Sequence, residues 1–87
     1  IGQTANDQLG KIFAHDIRAL GVQFDTPPAA NGLPTGRCLI LVTPDAQRTM
    51  NTCPGASHTL APQALDEALI RSAQIVMLEG YLFGPEQ

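Results

Sequence analysis

Two polar side chains in this sequence sit where chemistry could be done, and two thiols accompany them. Arg48 lies in the run Gln47-Arg48-Thr49-Met50-Asn51-Thr52, just after a turn. A guanidinium there can present a planar fork to phosphate oxygens and stabilise charge that develops on a transferring phosphoryl group. The plainer reading is a solvated arginine beside a turn. Glu79 follows the apolar run Ile75-Val76-Met77-Leu78, at the end of a strand where ligand sites of α/β folds gather. Its carboxylate can accept hydrogen bonds from sugar hydroxyls, or simply reach solvent. His15, off the apolar stripe of its helix, is given no role. Cys38 and Cys53 face each other across a hairpin if Thr43 pairs with Arg48, and are offset if the turn is tighter. Free thiols are the expectation. No Cys/His pair has zinc-ligand spacing, so no metal is expected.

The hairpin that must position these groups is the most specific stretch of the chain. Residues 38–42 are a short apolar run between Pro34-Thr35-Gly36 and Pro44-Asp45, the pattern of a mostly buried strand. Pro44 presets the first turn position and Asp45 bonds its own backbone. Residues 48–52 form the second arm, which Cys53-Pro54-Gly55 ends abruptly.

On either side lie helical patterns. Asn6 or Asp7 offers an N-cap, and Leu9, Ile12, Phe13, Ile17 and Leu20 form one stripe, closed by Gly21. Val22-Gln23-Phe24-Asp25 alternates as a short strand, and Pro62 leads a second helix through Leu65, Ala68, Leu69 and Ala73. Ile75–Leu78 reads as a strand buried on both faces, which Tyr81-Leu82-Phe83-Gly84-Pro85 leaves. The division is 1–21 (strand end and helix), 22–57 (hairpin segment) and 58–87 (helix and core strand).

In order, Ile1-Gly2 to Asp7, the Thr35-Gly36 strand, the Arg48 run, Gly55-Ala56-Ser57 with its Pro-led helix, and Leu78-Glu79-Gly80 resemble the ribokinase-like (PfkB-type) sugar and nucleoside kinases, nearest their adenosine-kinase-like branch. The resemblance spans essentially the whole chain. It implies an α/β fragment of a doubly wound fold: strand-helix, β-hairpin lid, helix-strand, rearranged or dimeric if the chain stands alone. It also implies that the lid arginine, Arg48, closes on phosphates. Glu79, Cys38, Ile40 and Thr52 would hold the acceptor sugar or nucleoside, although on their own the last three read as strand residues that core packing explains. Ser57 departs from the asparagine of the family's hinge. The family's N-terminal Gly-Gly motif and its C-terminal motif carrying the catalytic base are absent. ATP and Mg2+ therefore belong to the complete family enzyme, with none expected on this chain alone. The alternative is a self-associating module, a β-mediated homodimer without catalysis.

Composition narrows the partners further. The five basic residues are scattered in a chain of net charge −3, which gives no nucleic-acid footprint and no polybasic membrane patch. No run approaches a membrane span and no signal-peptide pattern opens the chain. A cytoplasmic setting is the default expectation. Ile1 in place of an initiator Met is expected of a processed or excised chain. At 87 residues, stability would be marginal and pairing with a second copy a natural remedy, so a homodimer is expected.

Overall fold

The computed structural model describes residues 1–80. Helix α1, Gln8–Ala19, opens on Asp7, whose extended backbone and carboxylate form the N-cap, accepting from Gly10 N. It closes as the glycine predicted. Gly21 has φ +81°, its N–H bonds Arg18 O at 2.9 Å, and Val22 N reaches Ile17 O at 3.2 Å. That pair of bonds is a Schellman motif, satisfying two end carbonyls.

Strands β1 (Arg37–Val42) and β2 (Arg48–Cys53) form an antiparallel two-stranded ribbon. Pro44 and Asp45 make the turn, with Ala46 N on Thr43 O and Thr43 N on Gln47 O, both at 2.9 Å. Ala46 has φ +64°. This is a three-residue loop, a type I turn followed by a left-handed residue that forms a bulge. The register that results pairs Cys38 with Thr52 and Arg37 with Cys53. The four-residue loop that would oppose the two cysteines is therefore not formed, and both are free thiols.

The ribbon is not buried as its apolar pattern predicts. All of β1 is exposed, Leu39 and Leu41 to 65% and 72%, because neither strand packs extensively on any described element except the other. The second helix is also shorter than its pattern. Pro62–Ala64 is a single 3-10 turn, and α2 runs only Glu67–Ser72. Asp66 separates the two by taking the N-cap role, its Oδ1 accepting from Leu69 N at 3.0 Å.

The predicted strands outside the hairpin do not form among the described residues. Residues 22–25 are irregular, although Phe24 is buried, and residues 75–78 are exposed, Ile75 to 87% and Met77 to 80%. A strand of a parallel sheet exists by pairing with neighbours, and the described residues offer these segments no ladder. One trace of a parallel arrangement persists: an isolated bridge joins Ala5 to Ala29. The exit segment 81–85 lies outside the described residues.

The core is small and sits under the foot of the ribbon. Ala5, Phe24 and Ala56 are its buried apolar residues, with Thr4 and Thr35 buried beside them. Phe13 meets Phe24 edge to face at a centroid distance of 5.5 Å. Arg18 donates from Nε and Nη2 to Phe24 O at 2.9 and 2.7 Å, which fastens the irregular 22–25 segment to α1.

Candidate functional site

Side chains alternate across a ribbon and directly opposed residues share a face. From the register, Cys38, Ile40 and Val42 share one face with Thr52, Met50 and Arg48. Four of the five sequence-predicted site residues (Arg48, Cys38, Ile40 and Thr52) thus lie on one side of the hairpin. Cys38 and Thr52 touch, Sγ to Oγ1 at 3.3 Å. Arg48 lies four residues from Thr52, about 13 Å along the ribbon at the usual strand rise. The fifth, Glu79, is in the exposed irregular segment after α2 and is not among the described residues that line the groove beside Cys38 and Thr52.

That groove opens at the foot of the same hairpin, with a volume near 680 Å³. Phe13, Phe24, Thr35, Cys38, Thr52 and His58 are among its lining residues. Its size falls in the range of small-molecule sites, and it combines aromatic walls with a few hydroxyl groups. An apolar, hydroxyl-lined cleft of this kind suits a ring with polar substituents.

Two glycines, Gly36 and Gly55, let the backbone close at the groove's edge. Gly55 has φ +53°, and a Cβ there would stand 2.1 Å from Pro34 O. Ala56 N then donates to Pro34 O at 2.8 Å, tying the two feet of the hairpin together. Ser57, which the resemblance marks as a departure, donates its hydroxyl to Pro54 O at 2.7 Å and so serves the turn itself.

The sequence reading gave Asp7 only a cap. In the structure it is the most heavily used carboxylate among the described residues. Oδ1 accepts from Gly10 N at 2.8 Å and from Thr35 Oγ1 at 2.6 Å, while Oδ2 accepts from Thr35 N at 2.9 Å. Thr35 Oγ1 also accepts from Ala5 N at 2.9 Å. These bonds, the Thr35 hydroxyl first, hold the Asp7 pKa down to about 2. A usable signal was present in the sequence. Glycine in the first turn of a helix is costly, so Gly10 three residues after a capping Asp marks a close approach. A Cβ at Gly10 would stand 2.1 Å from Ala5 O and 2.9 Å from Thr35 Oγ1.

Comparison with known proteins places this architecture. The pfkB family of carbohydrate kinases matches residues 1–86. The chain belongs to that family. Among solved structures, adenosine kinase from Sinorhizobium meliloti is similar over 100% of this chain at 44% identity, with a TM-score of 0.86. A protein described as a probable sugar kinase from Rhizobium etli is similar over 98% at 43% identity, with a TM-score of 0.84. The pfkB-family chain spans 27% and 26% of those two proteins. No curated protein matches it. The ribokinase-like fold fragment read from the sequence is therefore correct, with its sheet strands outside the hairpin unformed. Among the described residues, no helix is long and apolar enough to cross a membrane.

Proposed function

We propose that this chain is the lid-bearing segment of an ATP-dependent sugar or nucleoside kinase, with adenosine-like acceptors first in order. The observation that carries the reading is the shared hairpin face: Arg48 at one end, Cys38 and Thr52 over a groove at the other, and Ile40 between. An acceptor ring in the groove would pack under Cys38, Ile40 and Thr52. Arg48 would approach the phosphoryl group that the acceptor hydroxyl receives, and its fixed positive charge would stabilise the equatorial oxygens. Glu79 would accept hydrogen bonds from acceptor hydroxyls once the strand carrying it is paired in a complete enzyme.

Among the described residues, no group of three or more His, Cys, Asp or Glu could hold a metal. In this reading ATP and Mg2+ would be held by other parts of a complete kinase. The chain alone is inactive in this reading, and its setting is cytoplasmic.

A chimera tests the reading. The matching segment of the Sinorhizobium meliloti adenosine kinase is replaced by this chain, and adenosine phosphorylation is assayed. Retained activity, with Arg48→Ala lowering kcat about 100-fold or more, is the expected result. A folded chimera that binds adenosine but is indifferent to Arg48→Ala would remove the phosphate role. Robust phosphorylation of adenosine by the 87-residue chain alone would overturn the reading.

One observation favours a second reading, a self-associating module. Leu39 and Leu41 stand exposed on the ribbon face opposite Arg48, and an open two-stranded edge invites pairing. Sedimentation would give a dimer that Leu41→Lys dissociates. A monomer at high concentration would exclude it.

A further inference from the structure

We propose that Asp7 and Thr35 form a latch that sets the angle at which the hairpin leaves the body of the chain. The ribbon is joined to that body through two adjacent crossings, Pro34 to Gly36 on one arm and Pro54 to Gly55 on the other. The crossings are pinned side by side. Ala56 N bonds Pro34 O at 2.8 Å, and a Cβ at Gly36 would stand 2.6 Å from Pro54 O. Two neighbouring crossings define an axis but leave rotation about it free. The arms do not stop that rotation, because both strands are exposed except at Cys53 and pack chiefly on each other.

The restraint comes from the start of α1, which fixes the orientation of Thr35 within the first crossing. Asp7 takes both the N–H and the hydroxyl of Thr35, at 2.9 and 2.6 Å, across 28 residues of chain. The same hydroxyl receives Ala5 N, so the helix cap and the segment before it grip one side chain. Thr35 is buried, and hydrogen bonds to a carboxylate are about twice as strong as neutral ones. Gly10 lets the helix come this close. Asp7 and Thr35 are positioning residues: they touch no acceptor atom in this scheme, and they act through the hairpin. The latch rests on this geometry; its consequence for catalysis rests on the lid reading above.

Distances between nitroxide labels test it in the 87-residue chain. Labels are attached at His15→Cys on α1 and Gln47→Cys at the turn, in a Cys38→Ser, Cys53→Ser background. The expected result is one narrow distance distribution, which Thr35→Val broadens about twofold by admitting a second orientation. Thr35→Ser restores the narrow distribution because it keeps the hydroxyl. Asp7→Asn broadens it while α1 ellipticity is retained, since Asn caps helices as well as Asp but cannot accept both Thr35 bonds through oxygen. If Asp7→Asn unfolds α1, the Thr35 pair decides. A Thr35→Val distribution as narrow as the parent's, or equal broadening by Thr35→Ser, overturns the latch. So does a parent distribution that is already broad. None of these distances depends on phosphoryl transfer, so failure of the latch and failure of the kinase reading are separate results.

Discussion

The foot and the arms of the hairpin are built on opposite principles. At the foot, Thr35 and Ala56 are buried and two glycines allow backbone contacts that no side chain would fit. Along the arms every residue from Arg37 to Thr52 is exposed, and four of the five side chains proposed to meet substrate are there. The foot fixes where the ribbon stands and the arms carry what it presents. Substitutions in the arms should therefore alter chemistry with little change in folding, and substitutions at the foot should act first on folding and on where the ribbon stands.

The largest expected effect comes from breaking the foot. In Gly10→Ala the new methyl would need to displace Ala5 O, which is backbone, and Thr35 Oγ1. Overpacking combined with loss of hydrogen bonds to a carboxylate costs about 2–4 kcal/mol. For a small domain with a total stability of roughly 5 kcal/mol that approaches unfolding. Urea denaturation followed by ellipticity would measure it. Arg48→Ala on the arm should leave the same curve unchanged, and a shift as large as that of Gly10→Ala would collapse the contrast between the two regions.

Acid should act on the foot as well, with a more gradual effect. Asp7 titrates at about 2 in the folded chain against an ordinary value of 3.8. Because the folded value is the lower one, the stabilisation from ionised Asp7 is complete above 3.8 and is lost as pH falls towards 2. Asp45 in the turn is shifted the same way, by the Thr43 hydroxyl first and then by Gln47 N. Melting temperature against pH should therefore fall across this window. Asp7→Asn should flatten the fall, leaving the share of Asp45. An unchanged slope in Asp7→Asn would mean that the foot does not sense the Asp7 charge.

The same contrast explains what was legible in the sequence. The hairpin and α1 could be read because their information is local: Pro44-Asp45 makes the turn, Asp7 caps and Gly21 ends the helix. Arg48, Cys38, Ile40 and Thr52 come as candidates from the family resemblance rather than from the strand pattern, and their common face required the register. Asp7 with Thr35 was missed because Gly10 marks a close approach without identifying the partner, which lies 28 residues from Asp7. The strands expected at 22–25 and 75–78 failed for the converse reason. The alternation of 22–25 and the apolar run of 75–78 describe a partner-filled environment, and pairing partners are absent among the described residues.

The smallest expected effect lies at the far end of the arms and has the opposite sign. Ala46 holds φ +64°, a conformation that costs an L-residue roughly 1–2 kcal/mol and glycine almost nothing. The turn needs that conformation, because Thr43 N can reach Gln47 O only if the chain reverses there. The Thr43 hydroxyl on Asp45 and the Asp45 carboxylate near Gln47 N reinforce the loop without relieving Ala46. Ala46→Gly should therefore stabilise the ribbon by about 1 kcal/mol, less the entropy glycine adds to the unfolded chain. Amide exchange should slow in residues 40–50 and stay unchanged at Thr35 and Ala56, which belong to the foot. Equal slowing at both ends would mean that turn and foot fold as one unit, and the ribbon could then no longer be treated as an arm moved by its base.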